Sequence, residues 1–140
     1  MWRKTFIFKN ITQHFMLQHS LSLEAGAIFD CLISCYEQQD FYETREADDK
    51  LYIWITPNNL IKRLPILELT EAKVKRYFKY FETLKLVELR KFGTLQCFYI
   101  STNTMFDAAS DEFFKYNLKD PERSLSVVKK IRYVFNYGFG

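Results

Sequence analysis

Glycine, proline, cysteine and histidine are scarce in this chain of 140 residues, which holds four glycines, three prolines, three cysteines and two histidines. The glycines are too scattered to form a loop that cradles phosphate. The sequence also lacks a Gly-x-Ser-x-Gly motif, a His-Glu-x-x-His motif and the ligand spacing of a zinc quartet. Because these signatures of common enzymes and metalloproteins are missing, we predict that the chain is not an enzyme and holds no cofactor and no metal.

Long apolar runs and CxxC pairs are also absent. No window approaches the roughly 18 uninterrupted apolar residues that span a membrane. A charge interrupts the apolar stretch near the N-terminus too soon for a signal peptide, so we expect no export. An odd number of cysteines without a CxxC motif favours a reduced, cytoplasmic protein. Cys31 and Cys35 have a spacing that could ligate a metal, but free cysteine more often packs in a core.

Aromatic side chains and an uneven charge distribution are what the chain does have. Fourteen Phe and nine Tyr contribute to an aromatic share of 18%, which supplies enough apolar surface for one domain with a substantial core. The net charge of +3 conceals a polarised molecule. Residues 60–92 hold nine basic and four acidic side chains, whereas residues 37–49 hold six acidic side chains and one arginine. The positive charge is therefore concentrated on residues 60–92.

The first part of the chain predicts an arm, a helix, a loop and a strand. Residues 5–15 are typical of an extended arm or strand that leads into a loop. Apolar residues at helical spacing predict a helix over residues 23–38 with one buried face. The polar and acidic residues 39–49 are typical of a solvated loop. The β-branched and aromatic residues 51–55 predict a short strand.

The next residues predict two helices and a hairpin. Thr56 and Pro57 favour a helix start, and Pro65 disfavours helical geometry in the residue before it, so this helix ends near residue 64. Thr70 caps a further helix, whose apolar stripe is Val74, Tyr77, Phe78, Phe81 and Leu84. Gly93 separates two strand-like runs and marks the tip of a hairpin. A helix-turn-helix followed by such a hairpin is a winged helix, which places one helix in a DNA groove.

The last residues predict a helical extension. Helices are expected over residues 107–118 and 124–136. The second has an apolar face that either packs on the domain or forms a homodimer contact, and it consists of Val127, Val128, Ile131, Val134 and Phe135. The predicted fold is α/β (α+β), with a single winged-helix domain over residues 1–101 and C-terminal helices over residues 102–140. This domain includes the N-terminal arm and a short β-wing hairpin.

Residues 54–88 resemble the winged helix-turn-helix of phage and plasmid replication proteins, the replisome-organiser and initiator-like proteins. The similarity is carried by Trp54 in a strand, by a helix that ends in Leu64-Pro65, and by the run Leu69-Thr70-Glu71-Ala72-Lys73-Val74-Lys75-Arg76. By motif, the resemblance covers roughly residues 5–101. It implies a winged-helix fold and a role in replication initiation or its control. The fold also serves transcription factors and protein docking.

Three features depart from the pattern of that family. Lys85 stands where the family has glycine at the end of its recognition helix, and a lysine in left-handed geometry there costs on the order of 1 kcal/mol. The connection over residues 65–69 is longer and more apolar than usual. Glu71 lies in the turn expected to approach DNA, where a carboxylate repels phosphate, although it can also cap the helix or accept from cytosine.

The expected DNA contacts come from the basic helix and from the wing. Of the helix residues, Lys73 and Arg76 are expected at base edges or phosphates, and the other helix candidates are Lys75, Lys79 and Tyr80. Arg90 and Lys91 are expected to hold phosphates from the wing. The resulting hypothesis is sequence-specific or structure-directed binding of double-stranded DNA in replication or transcription regulation. The same cations could instead form an ordinary solvated basic face.

The alternative hypothesis is a protein-interaction module without DNA binding, such as a small phage-type inhibitor or a loader adaptor. In this interpretation the winged helix is a scaffold, and residues 37–49 or the C-terminal helices dock a replication protein or a host protein. Glu71 and the modest net charge favour this alternative, whereas the basic helix and wing favour DNA. Lys62 and Arg63 end a helix, where cations are favourable without any ligand.

Overall fold

The computed structural model describes residues 8–110, which form an α+β fold of five α-helices and one four-stranded antiparallel sheet. The helices are α1 (Gln13–Gln18), α2 (Leu23–Glu37), α3 (Pro57–Arg63), α4 (Glu71–Thr83) and α5 (Thr102–Ala109). The strands are β1 (Glu43–Ala47), β2 (Lys50–Trp54), β3 (Glu88–Phe92) and β4 (Leu95–Tyr99). Short 3-10 turns occupy Gln39–Phe41 and Pro65–Leu67.

The chain divides into two compact units. The described residues of the first are 8–30 and 102–110, and the second is Cys31–Ser101. The domain boundary predicted after residue 101 stays a prediction. The helix predicted over residues 124–136, with its suggested homodimer face, lies outside the described residues. Within residues 8–110, no helix is both long and apolar enough to cross a membrane.

In the first unit, α1 covers residues 13–15 of the segment predicted as an extended arm or strand over residues 5–15, so that prediction is wrong there, and its residues 5–7 lie outside the described residues. The Thr12 hydroxyl accepts a hydrogen bond from the amide of Phe15 at 3.1 Å and begins the helix. Phe15 is fully buried, and its ring stacks on Phe29 with centroids 5.9 Å apart. A helix of six residues is marginal alone, so it depends on this packing, which sequence periodicity does not reveal.

The helix predicted over residues 107–118 begins earlier, at Thr102, and the described helix α5 ends at Ala109. Its last turn is held by packing, because Ala108 and Ala109 are buried and the Ala108 carbonyl accepts from the amide of Thr12 at 2.9 Å. The Ser110 hydroxyl donates to the Phe106 carbonyl at 2.8 Å. The predicted continuation to residue 118 lies outside the described residues.

The second unit is built on the sheet, whose strand order is β1-β2-β4-β3. The central pair places Ile53 opposite Phe98, and both side chains are at most 1% exposed. Phe78 of α4 packs on Phe98 with ring centroids 5.7 Å apart, so α4 lies on this face of the sheet. The predicted strand at 51–55, both middle helices and the hairpin with Gly93 at its tip are confirmed.

The loop predicted over residues 39–49 is wrong, because the segment forms a 3-10 turn and then strand β1, which pairs with β2 along its length. Asp48 and Asp49 turn the chain between the two strands with φ values of 52° and 61°. Aspartate tolerates this left-handed geometry better than most residues, which permits a tight hairpin. β1 is an edge strand with no fully buried residue, so it lacks the apolar alternation that marks a strand in sequence.

Candidate nucleic-acid interface

Two capped helices frame the candidate interface. Thr56 accepts from the amide of Asn59 at 3.1 Å and begins α3, which Pro57 enters as its first residue. Thr70 accepts from the amide of Lys73 at 3.2 Å and begins α4 in the same way. The caps satisfy amides that have no partner within the helix, so hydroxyls that the sequence already marks define where both helices start.

The inner side of α4 anchors it to the unit. Val74 and Phe81 are 0% exposed, and Phe78 is the residue that packs on the sheet. Burying aromatic side chains of this size supplies most of the stability of such a helix, since its intrinsic propensity alone would leave it marginal. The orientation of the remaining α4 side chains therefore follows from this packing.

A second stripe of α4 lines a cavity of about 290 Å³, and its described lining residues are Lys73, Arg76, Tyr77 and Tyr80. The spacing of three and four residues puts these side chains on one side of the helix. Both tyrosine rings pack beside Phe81, with centroid distances of 5.9 Å for Tyr77 and 6.0 Å for Tyr80. Three predicted DNA contacts, Lys73, Arg76 and Tyr80, are thus brought together here.

The third stripe of α4 carries the remaining cations, each beside an acid. Lys75 pairs with Glu71 at 3.2 Å, and Lys79 pairs with Glu82 at 3.5 Å. The two lysine side chains are 68% and 77% exposed, so these ion pairs are worth at most about 1 kcal/mol. Lys75 and Lys79 therefore do not share the cavity, although a phosphate could replace their weak partners. Glu71, which the sequence marked as unfavourable to DNA, is one of these partners.

The two predicted wing residues lie on opposite faces of the sheet. In β3, Leu89 is opposite Phe98, and Lys91 shares the Leu89 face because side chains alternate along a strand. Lys91 is therefore exposed on the face that carries α4, whereas Arg90 lies on the other face. There Arg90 donates to Asp48 at 2.7 Å, and this hydrogen bond raises the pKa of the guanidinium. Arg90 therefore does not belong to the α4 surface, although its ion pair with Asp48 is exposed and weak like those of Lys75 and Lys79.

A polar cluster on the Arg90 face was not predicted. The Tyr52 hydroxyl donates to the Glu88 carboxylate, which also pairs with Lys50 at 3.0 Å. The Tyr52 hydrogen bond, followed by that from Lys50, lowers the pKa of Glu88. Because Lys50 and Tyr52 lie on β2 and Glu88 on β3, the cluster joins two strands that are separated by β4. Its partners are 36 and 38 residues apart, so local sequence patterns could not reveal it.

Arg63 and the two helical cysteines form another group. The guanidinium of Arg63 donates to the Tyr42 hydroxyl, which in turn donates to Cys35 Sγ at 3.4 Å. A hydrogen bond from Cys31, together with that from Tyr42 and the charge of Arg63, outweighs burial and lowers the pKa of Cys35 to about 6. Cys35 is fully buried, so the expected core position is confirmed, but its polar surroundings were not predicted.

Comparison with known proteins gives no assignment. No family model, curated protein or solved structure matches this chain. The function is therefore inferred from the geometry of the second unit.

Sequence reasoning missed one member of the α4 cavity. Tyr77 was predicted in the apolar stripe, but it is half-buried and lines the cavity. The sequence contained the signal that places Tyr77 with the other three residues, because positions 73, 76, 77 and 80 are three and four residues apart and so share one side of a helix. The candidate interface that the structure assembles is therefore Lys73, Arg76, Tyr77 and Tyr80.

Proposed function

We propose that the chain binds double-stranded DNA and that α4 is the helix that enters the major groove. The observation that carries the proposal is the cationic and aromatic stripe on α4, which is the second helix of the α3–α4 pair and precedes the β3–β4 hairpin. In this proposal α3, α4 and the hairpin act as a winged helix. Lys73 and Arg76 contact base edges or phosphates, and Arg76 can pair with guanine through two hydrogen bonds.

The other cations have secondary roles in this proposal. Lys75 and Lys79 exchange their exposed carboxylate partners for phosphates on either side of the groove. Lys91 contacts the backbone from the hairpin because it lies on the α4 face of the sheet. Arg90 is left out, since it lies on the face of the sheet opposite to α4.

A role in replication initiation or its control is part of the proposal. It is supported only by the resemblance of residues 54–88 to phage and plasmid replication proteins. A DNA-binding protein of this kind whose three cysteines form no disulfide fits a reducing cytoplasm.

Two matched double variants test the proposal. The Lys73→Ala/Arg76→Ala variant and the Lys75→Ala/Lys79→Ala variant each remove two positive charges from the same helix. If α4 enters the groove by its cavity stripe, the first variant loses about tenfold or more affinity beyond the second, because it also loses base contacts. Fluorescence anisotropy with a labelled random duplex at low salt measures the difference, and thermal unfolding confirms that both variants fold.

Equal losses of duplex affinity in the two variants contradict the proposed orientation of α4. Such a result means that only the number of positive charges matters and not their position on the helix. Absence of duplex binding by the unmodified chain contradicts the whole proposal. The logarithm of the affinity should also fall linearly with the logarithm of the salt concentration, because phosphate contacts release counterions.

A protein-interaction module is the second candidate, because two large apolar side chains of the second unit face solvent. Phe41 is 83% exposed and Ile66 is 88% exposed, each within one of the 3-10 turns. Exposed apolar side chains mark protein contacts when they form one continuous patch, so this candidate requires that Phe41 and Ile66 meet the same partner. This candidate is favoured if the unmodified chain fails to bind duplex DNA at low salt.

A further inference from the structure

The cavity beside α4 contains aromatic rings that a helix does not need in order to contact paired bases in a groove. Its described lining contains two tyrosine rings next to one lysine and one arginine. Contacts with base edges in a duplex are made by side chains that project as hydrogen-bonding groups. The depression that these side chains line has a volume of about 290 Å³ and is largely open to solvent, so it suits a flat group laid against the tyrosine rings rather than an enclosed ligand.

The tyrosine rings are held in place from below. Tyr77 lies nearly parallel to Phe81, with an interplanar angle of 27°, and Tyr80 is inclined to Phe81 by 45°. Phe81 itself is 0% exposed, so it forms a fixed support for both rings. A supported ring loses little conformational freedom when a flat partner stacks on it, which favours stacking.

The faces of nucleobases are available only outside a duplex. In a duplex each base is already stacked on its neighbours and presents only its edges to a protein. An unpaired base presents its π-face, and proteins bind such bases by combining aromatic stacking with cations that hold the backbone. The α4 cavity combines both kinds of group within two helical turns.

We propose that this cavity binds an unpaired nucleobase, stacked against Tyr80 and Tyr77, with the flanking phosphates on Lys73 and Arg76. The chain then binds locally melted or single-stranded DNA more tightly than fully paired DNA. This inference rests on the proposed function, because it names the form of DNA that the same surface of α4 prefers.

The test compares three labelled oligonucleotides of equal length with the full chain: a paired duplex, the same duplex with a short central mismatch bubble, and the single strand. Stacking contributes about 1–3 kcal/mol per base, so the bubble should bind about 5- to 150-fold more tightly than the duplex. A 2-aminopurine placed in the bubble should change its fluorescence on binding, because that probe reports stacking directly.

Variants of Tyr80 assign the preference to the cavity. Tyr80→Ala should reduce bubble affinity to the level of the duplex, whereas Tyr80→Phe should retain the preference because the ring remains. Lys79→Ala, on the neighbouring position outside the cavity, should weaken all three ligands by the same factor. Tyr80 is 37% exposed and packs beside Phe81, so Tyr80→Ala should lose some stability, and thermal unfolding sets a binding temperature at which every variant is folded.

The outcomes separate this inference from the proposed function. Equal affinity for bubble and duplex overturns the inference while duplex binding stands. A preference that survives in Tyr80→Ala also overturns it, since stacking then occurs elsewhere. No binding to any of the three ligands overturns both.

Discussion

Replacing Lys85 with glycine should stabilise the protein, because this lysine ends α4 in the left-handed region with φ of 62°. The Lys85 amide donates to the Glu82 carbonyl at 2.9 Å, and the Leu86 amide donates to the Phe81 carbonyl at 2.9 Å. These two bonds are those of a Schellman motif, in which the residue after the helix cap is usually glycine. The strain expected from the sequence at Lys85 is therefore present in the structure.

The magnitude follows from two opposing effects. A residue with a Cβ atom costs about 1–2 kcal/mol in left-handed geometry, and glycine avoids this cost. Glycine, however, loses more backbone freedom on folding, which cancels about 0.5–1 kcal/mol of the gain. The net effect of Lys85→Gly is a free energy of unfolding higher by about 0.5–1 kcal/mol, or a melting temperature higher by about 2–5 °C for a protein of this size.

Urea unfolding of three proteins measures this effect: the unmodified chain, Lys85→Gly and Lys85→Ala. The alanine variant removes the charge and the long side chain but keeps the Cβ atom, so it should be no more stable than the lysine. If glycine and alanine change the midpoint equally, left-handed strain is not the cause and the reasoning is refuted. The unfolding slope should stay the same in all three proteins, since the buried surface does not change.

Two other predictions concern groups outside the α4 cavity. The pKa of Cys35 is lowered from 9.0 to about 6 in the folded protein, so its ionisation stabilises fully above pH 9 and this contribution is lost as the pH falls through 6. The free energy of unfolding should therefore rise more between pH 6 and pH 9 in the unmodified chain than in Cys35→Ser, and urea titrations showing equal rises would contradict this. Because Arg90 is paired with Asp48 at 2.7 Å on the far face, Arg90→Ala should weaken duplex binding less than Arg76→Ala in anisotropy titrations. Equal losses would show that the hairpin contacts DNA through Arg90 after all.

The region that sequence reasoning predicted best is the α3–α4 pair with the hairpin. Thr56 and Thr70 cap their helices through their own hydroxyls. Pro57 favours a helix start and Gly93 favours a turn, and neither preference depends on residues far away in the chain. Such signals act within a few residues, so they can be identified in a sequence. The apolar spacing of α4 likewise identified its buried side at Val74 and Phe81.

The elements that were missed have weak local signals. Strand β1 is polar along its length and exists because its backbone pairs with β2. Helix α1 is too short to show a period and is stabilised by the burial of Phe15. In both cases the stabilising partner is another segment, so propensity alone predicted a loop and an arm.

The sequence by itself determined the order of the middle elements, the limits of α3 and α4, and the concentration of positive charge on residues 60–92. Only the tertiary structure decided how those charges are divided. Packing of Phe78 on the sheet orients α4 so that Lys73 and Arg76 share a cavity with two tyrosines. Strand pairing sends Arg90 and Lys91 to opposite faces, and Asp48 pairs with Arg90. The physical reason is that a charge is set by composition, whereas its partners are set by contacts between residues far apart in the chain.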